Sequence, residues 1–237
     1  MFAAPLLLSC ACCSLPTQEG AAGPDADSQK DPEPAAGRPD VSILVTGAVD
    51  RDFAPLAGRL VAEFYRCYPD LILRFEDPDR PAPRRITLVV KEDITFGRGT
   101  VPAYCSGDTI TVSRAYLSRR PDDTALLTHE LTHAVQAYRR APGWMTEGLA
   151  DYARHVYGPE KQPGWALPTR LAGRNYDDSY RVTGRFLLWL NEKHPGSVDT
   201  LHDALQAGTF TEADFETVTG TPVAELWAAC VAEVSGE

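Results

Sequence analysis

His129-Glu130-Leu131-Thr132-His133 is the stretch of this chain whose residue types and spacing best suit chemistry. On a helix, two histidines four positions apart sit one turn apart, so both imidazoles leave the same face. With about 100° of rotation per residue, Glu130 lies beside His129 on the helix surface. Two neutral imidazoles so placed can hold a zinc ion, and the neighbouring carboxylate can reach a water bound to it. Zinc brings the pKa of such a water towards neutrality, and the carboxylate can take its proton as the water attacks a carbonyl. The competing reading is a surface helix that merely spells HExxH, and the flanking sequence bears on the choice.

The histidines need a helix, and the pattern predicts one from about Asp122 to Arg139. Pro121-Asp122-Asp123 supplies a start signal with negative charge at the positive end of the helix. Leu127, Leu131, Ala134, Val135 and Tyr138 form an apolar stripe, whereas His129, His133 and Gln136 lie on a different one. Pro142-Gly143 should stop this helix. A second helix is expected from Thr146, a good N-cap, to Gly158-Pro159. It carries Glu147 and Asp151 one turn apart on one face. A carboxylate there can complete a three-ligand site that leaves a fourth position for water. A carboxylate four residues on can accept a hydrogen bond from the non-metal nitrogen of a ligand histidine. A solvated acidic face is the alternative.

Upstream, Val41–Val45 reads as a strand and Phe53–Tyr68 as a helix ending at Pro69, with apolar residues at Leu56, Leu60, Phe64 and Cys67. Leu71–Phe75 and Ile86–Val90 are the next strand candidates. Ala103–Val112 contains a Ser106-Gly107-Asp108 turn, then the alternating strand Thr109–Val112. Downstream, a third helix is expected to begin at Asn175–Asp178 and end at His194-Pro195-Gly196, burying Val182, Phe186, Leu187 and Leu190. Val198–Ala207, Thr211–Val218 and Pro222–Val234 read as short amphipathic helices, with Phe215, Leu226 and Trp227 as packing residues. His155, His194 and His202 lack ligand spacing and read as surface or helix-end residues.

The 237 residues carry a formal charge of -10 and no basic stripe, which argues against a nucleic-acid binder. No apolar run approaches the length of a membrane-spanning helix. Residues 1–15 are short and apolar and resemble the core of a secretory signal, without a basic n-region. Leu7-Leu8-Ser9-Cys10 is similar to a bacterial lipoprotein processing box, in which Cys10 would carry the lipid. Residues 16–40 turn to Pro, Gly, Ala, Asp, Glu and Gln and are expected to be a disordered tether. A single domain over 41–237 should follow, exported to the outside or the cell envelope and monomeric. No CxxC pair joins Cys67, Cys105 and Cys230, so a cysteine-built zinc site is disfavoured, while a Cys67–Cys105 disulfide stays open.

Trp144-Met145-Thr146-Glu147-Gly148-Leu149-Ala150-Asp151-Tyr152 resembles the second-helix signature of gluzincin metallopeptidases. Together with His129–Gln136, Tyr180–Leu187 and Val223–Trp227, it is similar to the basic secretory protein family of zinc peptidases. The acidic charge of this chain departs from that family's name. The resemblance implies an α+β zincin-like fold, with a small mixed sheet, an active-site helix and a mainly helical C-terminal part. It implies zinc held by His129, His133 and Glu147, with Asp151 orienting His129 and Glu130 as general base in peptide-bond hydrolysis. Tyr180, from the later helix, is the candidate hydrogen-bond donor to the oxyanion, or else a half-buried core tyrosine. Thr109–Val112 is the candidate edge strand that pairs with a peptide substrate, or else an ordinary sheet edge. The metzincin pattern is excluded, because Gln136 and Arg139 stand where it needs glycine and a third histidine. Two rivals remain: a zinc-holding surface module without hydrolysis, which would have no need of Glu130, and a metal-free structural protein.

Overall fold

The computed structural model describes residues 37–97 and 99–236. The leader, Cys10 and most of the tether lie outside the described residues. Strand β1 (Ser42–Gly47) leads through helix α1 (Ala54–Phe75) to β2 (Arg85–Lys91), which lies parallel to β1 with Ile43 opposite Ile86. Ile86, Leu88 and Val90 alternate along β2 and are buried, so period-two hydrophobicity fixes which face meets the core. Gly47 ends β1 at φ +94, where a Cβ would stand 2.2 Å from the Val90 carbonyl oxygen, so only glycine allows that approach.

A two-residue ladder, β3 (Thr95–Phe96) with β4 (Gly99–Thr100), precedes the hairpin of β5 (Ala103–Ser106) and β6 (Thr109–Ser113). The main sheet runs β1-β2-β6-β5, with β6 parallel to β2 and β5 antiparallel to β6. The strand Thr109–Val112 is therefore interior, and neither edge reading of it holds. The edge on this side of the sheet is β5, because the turn at Gly107 folds Ala103–Ser106 back onto the open side of β6, and β1 is the opposite edge.

Seven helices follow: α2 (Arg114–Arg119), α3 (Leu126–Gln136), α4 (Gly143–Tyr157), α5 (Tyr180–Lys193), α6 (Ser197–Ala207), α7 (Ala213–Thr219) and α8 (Val223–Ser235). The described residues thus form a mixed α+β structure of a small mixed sheet and eight helices. None of these helices is long and apolar enough to cross a membrane.

Four local expectations fail for identifiable reasons. Helix α1 continues through Pro69, and Leu71–Phe75 is its last part, not a strand. The carbonyl that loses its partner belongs to Tyr65, an exposed residue, while Phe64, Tyr68, Leu71, Ile72 and Phe75 continue a fully buried stripe. Burying those side chains outweighs the roughly 3 kcal/mol cost of an interior proline. Helix α3 is shorter than 122–139, because Ala137 turns left-handed at φ 47 and the Arg80 guanidinium takes the Ala137 carbonyl. Residues 122–125 form turns before it, with the Asp123 N–H donating to the Arg120 carbonyl at 3.1 Å. The helix that precedes them is the separate α2, capped by the Ser113 hydroxyl accepting from the Tyr116 N–H at 3.1 Å. Helix α4 starts at Gly143 with Pro142 at its cap, so Thr146 sits inside the first turn and donates to the Pro142 carbonyl at 3.2 Å. Asn175–Asp178 form a turn before α5, closed by the Asn175 N–H donating to Asp178 at 2.8 Å.

His202 is buried, not at the surface: one ring nitrogen lies 2.7 Å from the Tyr138 hydroxyl and the other 2.9 Å from the Phe75 carbonyl. Cys67, Cys105 and Cys230 are free thiols, so Cys67 and Cys105 are not joined.

Candidate metal centre

Two helices converge to build the site. Helix α3 buries Leu127, Leu131 and Val135 in the core, which turns His129 and His133 to its other side. Helix α4 meets it with Met145 and Leu149 buried, which presents Glu147 to the histidines. Helix α5 braces α4 from behind through two glycines. A Cβ on Gly148 would fall 2.2 Å from Thr183 Cγ2, and one on Gly184 would fall 3.2 Å from Asp151 Cβ. The small residue inside Glu147-Gly148-Leu149 thus sets the closeness of α4 to α5, and with it the position of Glu147.

The donor atoms face one another. His129 Nε2 lies 3.2 Å from His133 Nε2, and Glu147 Oε2 lies 3.3 Å from the first and 3.7 Å from the second. Bonds of 2.0–2.1 Å to a tetrahedral centre put donors about 3.3 Å apart. The three residues therefore already have the spacing of ligands around one small cation, and they are the group of this kind found among the described residues.

The opposite ring nitrogens are held in place. His129 Nδ1 lies 2.9 Å from Asp151 Oδ1, and a carboxylate can only accept, so the neutral ring that a metal ligand requires keeps its proton on Nδ1 and turns its Nε2 lone pair to the centre. This contact also separates the two acids of α4: Glu147 faces both Nε2 atoms, whereas Asp151 faces the far side of His129. His133 Nδ1 lies 2.8 Å from Gln136 Oε1, and Gln136 Nε2 donates to the Thr146 carbonyl at 2.8 Å. Sequence reasoning placed Gln136 on the histidine stripe but gave it no partner. Its three-residue spacing from His133 was the available signal, and the link to α4 was not readable.

Charge follows from this packing. Burial works against an imidazolium at His129, but the hydrogen bonds to Asp151 and Glu147 outweigh it and raise its pKa to about 10. Burial of Glu147 is likewise overcome by its two histidine partners, which hold its carboxyl well below the usual range. His129 and Glu147 therefore face each other as an ion pair at 3.3 Å. Glu130 is 8 % exposed, and burial pushes its carboxyl above the ordinary value against the pull of His129 and His133. A buried carboxylate of raised pKa is a stronger proton acceptor than a solvated one.

His129, Glu130, His133 and Glu147 line one cleft of about 410 Å³, bordered by Ala103, Tyr104 and Cys105 of edge strand β5. Tyr180 also lines it and is 53 % exposed, so it is not a core tyrosine. All six site residues expected from sequence thus gather here, either on the cleft or directly behind its histidines.

A family model named BSP, described as a peptidase of plants and bacteria, matches residues 70–230, more than half of the chain. The match spans α3, α4 and α5 and therefore the whole histidine–glutamate cluster. No curated protein and no solved structure matches the chain.

Proposed function

The chain belongs to the BSP family of peptidases of plants and bacteria, and from that premise we propose that it is a zinc metallopeptidase of zincin-like fold. The observation that carries the reading is the convergence of His129 Nε2, His133 Nε2 and Glu147 Oε2 at tetrahedral spacing, with Glu130 buried beside them. Two imidazoles and one carboxylate are a zinc donor set that leaves an open position for water. Zinc bound there would supply a water of near-neutral pKa and polarise the scissile carbonyl.

Each residue then has a defined task. Asp151 and Gln136 hold the two imidazoles in the tautomer and orientation that ligation needs. Glu130 takes the proton of the attacking water and passes it to the departing amine. Tyr180, exposed on the cleft wall, donates its hydroxyl hydrogen to the oxyanion as the carbonyl becomes tetrahedral. Strand β5 replaces Thr109–Val112 as the edge against which an extended peptide pairs, because its outer side is unpaired in the main sheet.

The apolar leader, the Leu7–Cys10 box and the tether extend the proposal to an exported, monomeric enzyme, free or lipid-anchored at Cys10, acting on peptides and not on nucleic acid. The test is a mixed peptide library incubated with wild-type and Glu130→Gln protein, with products read by mass spectrometry and zinc assayed in both. The expected result is cleavage by wild type alone, with zinc retained by the variant. Equal cleavage by both proteins contradicts the role of Glu130.

A further inference from the structure

The cleft is not electrically uniform. Its lining includes Tyr116, Arg154, Trp165, Tyr180 and Arg181, besides the metal-binding residues. Trp165, from the loop between α4 and α5, is flanked by two guanidinium groups, with Arg154 Cζ 4.1 Å and Arg181 Cζ 5.7 Å from its ring centroid. Both approach within cation–π range of the same indole, which fixes two positive charges beside each other on one wall.

The two arginines differ in how they are balanced. Arg154 is 6 % exposed, ion-paired with Asp123, and held by Gln162 Oε1 at 3.2 Å. Asp123 is itself shared with the Tyr116 hydroxyl, which donates at 2.6 Å. Burial, with Arg181 nearby as a further opposing charge, makes Arg154 easier to deprotonate than a solvated arginine. Arg181 is an exposed guanidinium on the cleft wall, without an acidic partner among the described residues, and its donors are free to take an anion from outside.

We propose that the Trp165 end of the cleft is a subsite for a carboxylate carried by the peptide substrate, bound by Arg181 with Arg154 behind it. This rests on the peptidase reading above and assigns that site its substrate class. A guanidinium presents parallel N–H donors that match the two oxygens of a carboxylate, and the indole face keeps the group oriented while Tyr180 stands next to it in the chain. The chemistry is the same whether the carboxylate is an aspartate or glutamate side chain or the free C-terminus of a peptide, so the test separates the two.

The test measures binding, which needs no turnover. Zinc-loaded Glu130→Gln protein is titrated with four fluorescent peptides of one sequence. One carries an internal Glu and an amidated C-terminus, one carries Gln at that place and the amide, one is the Gln peptide with a free C-terminal carboxylate, and one carries Lys and the amide. The Glu peptide or the free-carboxylate peptide should bind about tenfold tighter than the neutral one, the lower end expected for a charge-assisted hydrogen bond at a partly open site. Which of the two gains tells whether the source is a side chain or a terminus. Arg181→Gln, at an exposed position, should remove the difference, and Arg181→Glu should transfer the preference to the Lys peptide. Equal binding of all four peptides, no measurable binding, or a preference unchanged in Arg181→Gln overturns the subsite. Failure of wild type to cleave any library peptide counts separately against the peptidase reading.

Discussion

Replacing Asp151 by Asn tests whether the centre depends on the shell that holds its histidines. Asp151 is 5 % exposed and its Oδ1 lies 2.9 Å from His129 Nδ1, so the substitution removes one buried charge and almost no volume. The carboxylate can only accept, which keeps the proton of the neutral, ligating His129 ring on Nδ1. An amide can turn its NH2 towards Nδ1, which moves the proton to Nε2 and removes the lone pair that faces Glu147 and His133. Loss of such a partner costs about 10–100-fold in metal affinity, which is about 1.4–2.7 kcal/mol. The buried site should place Asp151→Asn in the upper half of that range, since little water is at hand to restore the tautomer. The assay is competition for zinc against a chromogenic chelator, with far-ultraviolet circular dichroism confirming that α3 and α4 are intact. A folded variant whose zinc affinity stays within about twofold of wild type would refute the reasoning.

Three further outcomes follow from the packing. Gly148→Ala puts a methyl group 2.2 Å from Thr183 Cγ2, so α4 must move from α5; we expect a loss of about 1–3 kcal/mol in urea unfolding together with weakened zinc binding. Ala137→Gly relieves a non-glycine residue at φ 47 at the end of α3 and should raise stability by up to about 1 kcal/mol, read as a higher urea midpoint at unchanged slope. Glu76 caps the turn after α1, accepting from Arg84 at 2.6 Å and from the Ala82 N–H at 2.8 Å, and the Arg84 hydrogen bond lowers its pKa below 4.5. A depressed folded-state pKa stabilises above the unfolded value and is lost as pH falls through the folded one. Wild type should therefore exceed Glu76→Gln in urea stability at pH 6 by about 0.5–1 kcal/mol, and the gap should close below the ordinary glutamate range.

The two motif helices were legible because their information is local. One periodicity separates the buried stripe of α3 from the side that carries His129 and His133, and puts Glu147 and Asp151 on the side of α4 that meets them. The buried face of α5, at Val182, Phe186, Leu187 and Leu190, was legible for the same reason. What the sequence concealed depends on distant partners. Pro69 reads as a stop, yet α1 runs on because residues beyond it have a core to enter. Thr146 has the chemistry of a cap, but the short link from Ala137 to Pro142 starts the helix earlier. His202 carries no ligand spacing and becomes a buried link between Tyr138 and Phe75 only after α6 folds back on α1. Which strand forms the edge was decided by the β5–β6 turn, and Arg154, Trp165 and Arg181 meet only through the loop between α4 and α5.

The central claim is that one metal ion, held by His129, His133 and Glu147, supports peptide cleavage. The most direct measurement is to strip the protein with a chelator and add zinc back in sub-stoichiometric steps, reading cleavage of a library-derived peptide at each step. Activity should be absent at first, rise linearly, and break at one zinc per chain for wild type, while Glu147→Ala shows no break at that point. Cleavage by the stripped protein, or an undiminished one-equivalent break in Glu147→Ala, would contradict the account.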